Sequence, residues 1–299
     1  MAKTRALVKR RKAIRNIRKI TRTMELIATA RFKRAMDRAV QAESYTHRIS
    51  DLVRDVSSAG VEYDHPLLEV HEPAERAKLL VLTANRGLCG GYNANVLRVS
   101  TQQWQQWQET FSETSLEVSG KRGIGAFRYR GITADQSYVE FEDRPRFDEV
   151  EAIAERYMAD YAAGKLDRLD VVYTRFISTA RQEAVVETLL PLSPVEPEES
   201  SEEDADNVKQ GAREVQYELL PSPAGILEEI LPMAFKVRLF KCFLDAAVSE
   251  QVARMIAMKG ATENSDNIIR EISMLYNRAR QAEITKQIAE IVGGAELLN

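Results

Sequence analysis

The chain has 299 residues, 44% apolar and 29% charged, a balance that suits a protein able to bury a core. No stretch approaches the run of about eighteen apolar residues that a membrane-spanning helix needs. The two cysteines, Cys89 and Cys242, give neither a disulfide framework nor a CxxC metal spacing. The net charge of −3 hides a polarity. Residues 1–38 hold fourteen Lys or Arg against Glu25 and Asp37, a net of +12, which leaves −15 on the remainder. Such an arm points to an acidic partner, a nucleic acid or an anionic membrane. His47, His65 and His71 lie outside any ligand or triad pattern and read as ordinary surface or loop residues.

Residues 4–58 contain no Gly and no Pro and predict one long helix. At about 1.5 Å per residue it would reach roughly 80 Å. Ile17, Ile20, Met24 and Ile27 recur at heptad spacing, and Ala28, Ala35 and Ala39 prolong a close-packing edge. Lys and Arg fill the other faces. A basic, acid-poor N-terminus is also what a mitochondrial targeting peptide shows, but this pattern runs on unbroken into the long helix.

Residues 60–73 break the helix, and a different rhythm follows. Residues 78–83 read as a buried parallel strand, 85–91 as a turn, and 92–111 as a helix with Trp104 and Trp107 on one face. Strands follow at 116–119, 170–176 and 184–190, helices at 124–129 and 147–163, and an edge strand at 139–141. The alternation implies a parallel or mixed sheet with helices on its faces. Residues 193–211 form an acidic loop, with seven acids and no base between Glu196 and Asp206. A strand resumes at 215–219. Pro221 and Pro223 mark entry to the C-terminal helix, and Pro232 either kinks it or marks where the continuous rod begins.

Residues 244–292 predict that second long helix, with Gly260 its one glycine and Gly293–Gly294 its stop. Ile268, Ile272, Leu275, Ala279 and Ala282 form a seam. The pattern then moves to Gln281, Ile284, Ile288 and Ile291, where Gln281 is a polar intruder. Neither terminal helix can bury its seam alone, and antiparallel pairing of the two buries both.

Read for catalysis, the chain is nearly blank. The glycines Gly87, Gly90 and Gly91 follow a strand and precede a helix, as in a phosphate loop. However, both the Walker A spacing and the dinucleotide Gly-x-Gly-x-x-Gly spacing are absent, and Lys121–Gly125 fails the same test. Glu228 and Glu229 could be imagined as general acid and base, but nothing in the sequence places them in an apolar pocket. On physics alone three readings stand: a helical shaft in a protein complex, a basic coiled coil on nucleic acid, and a membrane-surface arm. Only Phe32 and Tyr45 are available to stack on bases in the basic helix.

Four stretches carry a resemblance along nearly the whole chain: 20–28 (ITRTMELIA), 85–90 (NRGLCG) with Asn93, 249–264 (SEQVARMIAMKGATEN), and 276–285 (YNRARQAEIT) continuing to 290–295. In these the chain resembles the gamma subunits of F-type ATP synthases. The resemblance implies an α/β protein: a long antiparallel coiled coil of the N- and C-terminal helices plus a central Rossmann-like α/β domain. The expected boundaries are residues 1–59 and 224–299 for the coiled-coil helices and 74–220 for the central domain. It implies a rotor shaft with no catalytic site and no cofactor of its own. Its implied partners are three alpha and three beta subunits around the coil, with the epsilon subunit and the membrane c-ring at the foot. Nucleic acid is not expected; a basic coiled-coil nucleic-acid-binding protein is the alternative. By motif, Arg22, Met24, Arg254, Arg280 and Gln281 are implied as rotor–stator contacts, and Tyr217 and Glu218 as a c-ring foot. Gly260 stands where the family usually has Ala. Cys89 and Cys242 do not match the thiol switch of chloroplast members. The implied location is the cytoplasmic side of a bacterial inner membrane.

Overall fold

The computed structural model describes residues 2–58, 65–141, 144–192 and 223–296. In chain order the elements are α1 (Ala2–Ser58), β1 (Arg76–Leu82), α2 (Tyr92–Thr110), β2 (Glu113–Ser119) and α3 (Lys121–Tyr129), then β3 (Gln136–Tyr138), α4 (Phe147–Ala162), β4 (Arg168–Phe176), β5 (Gln182–Leu190) and α5 (Pro223–Glu296). They divide into two compact units. The first comprises α1 up to Arg31, the turn Leu88–Gly90, and α5 from Gln251 onward. The second comprises Phe32–Gly87 and Gly91–Glu250.

The first unit is an antiparallel coiled coil. Thr21 meets Thr262, Arg18 pairs with Asp266, and the Arg11 guanidinium lies over the Tyr276 ring, so α5 advances as α1 recedes. On α1 the seam lies one residue from where the apolar periodicity put it, and on α5 the expected Ile272 and Ala279 are in it while Leu275 and Ala282 are not. Thr21, Glu25 and Ala28 are buried on α1, as are Met258, Thr262, Ser265 and Ile272 on α5. Ile17, Ile20 and Ile27 are exposed, as are Leu275 and Ala282. Ile269, Tyr276 and Ala279 continue the true seam, partly buried, at spacings of four and three. Two stripes one residue apart both satisfy heptad spacing. The seam holds the small and polar stripe, and most of the large apolar side chains lie outside it. Ala28 packs as the close-approach reading expects. Gln281 is exposed and does not intrude into the seam. Gly293 and Gly294 do not end α5, which continues to Glu296.

The second unit is a five-stranded sheet of order β3-β2-β1-β4-β5, with only the β4–β5 pair antiparallel. Side chains alternate along β1. Leu80 and Leu82 join Val150, Tyr157, Tyr161, Phe235 and Phe243 on the face covered by α4 and the start of α5. Leu79 and Val81 join Val96, Trp104, Trp107 and Phe127 on the face covered by α2 and α3. The edge strand is Gln136–Tyr138, not 139–141, and Phe141 is buried in the first of these clusters. α3 begins at Lys121 rather than 124, so Gly123 belongs to the helix as Gly125 does. α5 starts at Pro223 and continues through Pro232, so Pro232 does not mark the start of the rod.

Candidate coupling surface of the coiled coil

The residues implied as coupling contacts lie on the first unit at separate levels. Arg22 sits beside the Thr21–Thr262 pair, with its Nη1 2.7 Å from Glu25 Oε1 and its side chain more than half exposed. Met24, one turn from Ala28, is partly buried. Arg254 is 7% exposed and is therefore a buried cation. Arg280 and Gln281 are exposed, and the Gln281 carbonyl accepts the Thr285 hydroxyl at 3.0 Å. From Arg254 to Thr262 is about 12 Å along α5, and from Thr262 to Arg280 about 27 Å. The structure therefore groups Arg22, Met24 and Arg254 within two to three turns and sets Arg280–Gln281 well apart. Tyr217, Glu218 and the acidic stretch 193–211 lie outside the described residues.

Between these levels the coil is unusual in what it buries. Thr21, Glu25, Thr262 and Ser265 are each less than a tenth exposed. Thr262 and Ser265 turn their hydroxyls onto the carbonyls of Met258 and Ala261, which satisfies them inside their own helix. Glu25 takes Arg22 on one oxygen, and its Oε2 is buried with no hydrogen-bond partner among the described residues. Outside the seam, Ile17, Ile20, Leu275, Ile284, Ile288 and Ile291 stand 47–72% exposed. Reasoning from apolar spacing missed Glu25 and the threonines. The signal was present in the small and hydroxyl residues that repeat at three and four.

The turn Leu88–Gly90 belongs to the same unit. Leu88 has φ 64, a left-handed conformation that a branched side chain adopts only under constraint, and it is 59% exposed. Gly90, at φ 55, faces the Ala253 carbonyl and the Ala257 methyl group; a Cβ there would lie 3.8 Å from each.

The second unit answers the question of a phosphate loop. Asn93 Oδ1 accepts the Ala84 N–H at 2.9 Å and Asn85 Oδ1 accepts the Lys121 N–H at 3.0 Å. Thr83 Oγ1 accepts the Gly123 N–H at 2.9 Å while donating to the Ser119 carbonyl at 2.7 Å. These bonds tie the ends of the Gly-rich turn to the start of α3, so the turn is held by Thr83, Asn85 and Asn93 as a structural clasp. Among the described residues no three His, Cys, Asp or Glu side chains are grouped to hold a metal, and no helix is long and apolar enough to cross a membrane.

Two buried carboxylates, Glu117 and Asp167, and the partly buried Glu187 rigidify this unit. Glu117 accepts from the Tyr138 and Tyr157 hydroxyls and from Arg156, each at 2.7 Å, with Lys78 at 3.4 Å. Burial first, then the Glu117 charge, holds the Tyr157 phenol well above its ordinary pKa. Asp167 takes the backbone N–H groups of Glu75 and Arg76, the Arg76 guanidinium and His71 Nδ1. Burial pushes its pKa up, but those donors outweigh burial and lower it to about 2. His71 also stacks on Tyr161 at 4.5 Å, so it is a packed residue rather than an ordinary loop position. Glu187 is bound by Tyr173, Arg175 and Arg238; burial works against its charge, and these three donors still lower its pKa.

A family model described as ATP synthase matches residues 3–298. The ATP synthase gamma chain of Rhodopirellula baltica is 56% identical over 298 residues, covering 100% of this chain and 99% of its own. That of Burkholderia multivorans is 36% identical over 284 residues, 95% of each chain. The fold is similar to a chain in the Euglena gracilis mitochondrial ATP synthase OSCP/F1/c-ring structure, with TM-score 0.65 and 17% identity, covering 99% of this chain and 95% of that one. With a match running from end to end, the chain belongs to the ATP synthase gamma chain family.

Proposed function

We propose that the chain is the central rotor shaft of a proton-translocating ATP synthase. It has no catalytic site of its own and transmits rotation between a membrane c-ring and the beta-subunit catalytic sites. It works as a peripheral subunit on the cytoplasmic face of a bacterial inner membrane. Three alpha and three beta subunits surround the coil, and the epsilon subunit and c-ring hold its foot. The observation that carries this reading is the inside-out coil within a full-length family match. Thr21, Glu25, Ala28, Thr262 and Ser265 share the seam with Met258 and Ile272, while Ile17, Ile20, Ile284 and Ile288 and a field of Lys and Arg face outward. An isolated coil would reverse that order. A coil enclosed by a sleeve gains from it, because the exposed apolar area is covered on assembly.

The cations fit the same role. Long, solvated Lys and Arg side chains attract acidic loops without a single steep energy well, which suits a bearing that must turn. Within that frame, Arg22, Met24, Arg280 and Gln281 are proposed as stator contacts. Arg254, being buried, is proposed to shape the shaft from within. Tyr217 and Glu218 are proposed for the foot.

The test is co-expression with alpha and beta subunits, followed by native mass and ATPase assay. The expected result is an assembly of three alpha, three beta and one copy of this chain, whose turnover requires the chain. ATP turnover by the purified chain alone, abolished by a point change within it, would overturn the reading.

A further inference from the structure

The glycines around α3 divide into two kinds. Gly120 has φ +98, and a Cβ there would lie 2.0 Å from the Thr83 carbonyl oxygen. A Cβ on Gly123 would lie 2.5 Å from Thr83 Oγ1 and 2.8 Å from Val118 Cγ1, and Gly131 has φ +76. Each of these is required by the chain's own packing or backbone. Gly125 is not. It sits in the middle of the helix, exposed, and a Cβ would meet nothing within 4 Å. A glycine there weakens the helix relative to alanine and returns nothing within the chain.

Its neighbours on that face are distinctive. Lys121 and Arg122 lie four and three residues before it, Arg128 and Tyr129 three and four after, which places all five on one side of the helix. All are exposed, and Tyr129 is 93% exposed. Lys121, Arg122, Arg128 and the adjoining Arg130 form no ion pair among the described residues. The Arg122 guanidinium lies over Gly87, where a Cβ would be 2.9 Å from its Nη2. One cation of the group therefore lies against the Gly87 backbone, which has no side chain to displace it.

We propose that this face of α3 is a docking surface for an acidic helix of another protein. The partner helix crosses at Gly125, where the missing side chain lets two backbones approach closely, and sets its carboxylates on Lys121, Arg122 and Arg128. An apolar residue of the partner rests on the Tyr129 ring. Four uncompensated cations select an anionic partner. The glycine selects a rigid one: a lipid surface conforms to whatever side chains it meets, and a phosphate backbone needs cations but no gap. Tyrosine and arginine are among the residues enriched where binding energy concentrates.

The docking surface rests on the complex proposed above as the source of its partner. The test is to place a photoreactive residue by Tyr129→p-benzoylphenylalanine in the assembled complex, irradiate, and identify the product by mass spectrometry. The expected product joins position 129 to an Asp- and Glu-rich helical segment of another subunit. Gly125→Trp, or Gly125→Gln as a second variant, should lower that yield about tenfold. In the isolated chain Gly125→Gln should raise Tm, since a better helix former replaces glycine with no internal clash. A purely structural role for Gly125 would move both readouts downward together. Assembly with no cross-link, a cross-link only to phospholipid or nucleic acid, or a yield indifferent to both Gly125 variants would overturn the proposal while leaving the rotor reading intact. Failure of the unaltered chain to assemble would overturn both.

Discussion

The hydroxyls of Thr21 and Thr262 lie 2.9 Å apart across the coiled coil, at a seam position where two leucines would ordinarily meet. Both are less than a tenth exposed, and each also reaches a carbonyl of its own helix, Arg18 for Thr21 and Met258 for Thr262. Replacing one by valine leaves its partner short of a contact, whereas replacing both leaves two methyl-bearing groups in contact. Thr262→Val alone should cost about 1 kcal/mol, and the Thr21→Val/Thr262→Val pair should be near neutral or stabilising. A double-mutant cycle by thermal unfolding measures the coupling.

Asp167 sets an acid limit on the sheet unit. Its folded pKa is lowered to about 2, below its ordinary value, so it contributes stability above that ordinary value which is lost as pH falls through about 2. The contribution at neutral pH is about 2 kcal/mol. Asp167→Asn should remove at least that much at pH 7. The gap between the two proteins should narrow below about pH 4, which denaturant unfolding at a series of pH values would follow.

Glu117 is the shared acceptor of two tyrosines and two cations, and only 3% of it is exposed. Glu117→Ala leaves Arg156 without a carboxylate and Lys78 with Asp160 alone, and should cost about 3–5 kcal/mol. Tyr157→Phe removes one neutral donor and should cost about 1 kcal/mol. A denaturation series that ranked them the other way would contradict this account of the network.

Gly260 and Gly120 respond to alanine in opposite directions. Gly260 is exposed in α5, with nothing within 4 Å of a Cβ, so Gly260→Ala should stabilise by up to about 1 kcal/mol. Gly120→Ala meets both φ +98 and the Thr83 carbonyl and should destabilise by more than that. Two melting curves against the unaltered chain decide it.

Arg280→Ala with Gln281→Ala should leave assembly intact and lower coupled ATP synthesis, because both side chains are exposed and neither supports the coil's own seam. Unchanged synthesis in reconstituted vesicles would make them ordinary surface positions.

The sheet was legible in the sequence because its rules are local. Leu79 to Leu82 alternate between two buried faces, so a continuous apolar run marks the strand whichever face wins. The pairing of the two terminal helices was legible for a similar reason, since neither can bury a face alone. The phase of the seam was not. Ile17, Ile20 and Ile27 compete with Thr21, Glu25 and Ala28 at the same spacing, and hydrophobicity favours the first set. That preference assumes the interior is the driest place available. In this coil the larger apolar residues face outward, so the rule selects the wrong stripe. Gly123 was read as part of a loop because its reason for being glycine is Thr83, forty residues away. Short-range patterns do not carry such a distance. The carboxylate clusters at Glu117, Asp167 and Glu187 were invisible on the same ground, as each is assembled across strands and helices.

The antiparallel coil also fixes an order of events at birth. Thr21 and Thr262 are separated by 241 residues, so α1 emerges with its seam bare and stays so until the last fifth of the chain is made. The strands of the sheet unit pair over shorter separations, Ala77 with Arg168 being among the longest, so their loops close more cheaply than that of the coil. During that interval the basic N-terminal helix is solvated by its own charge, and like-charge repulsion keeps nascent copies apart. The bare seam and the positive charge therefore share one helix for most of synthesis.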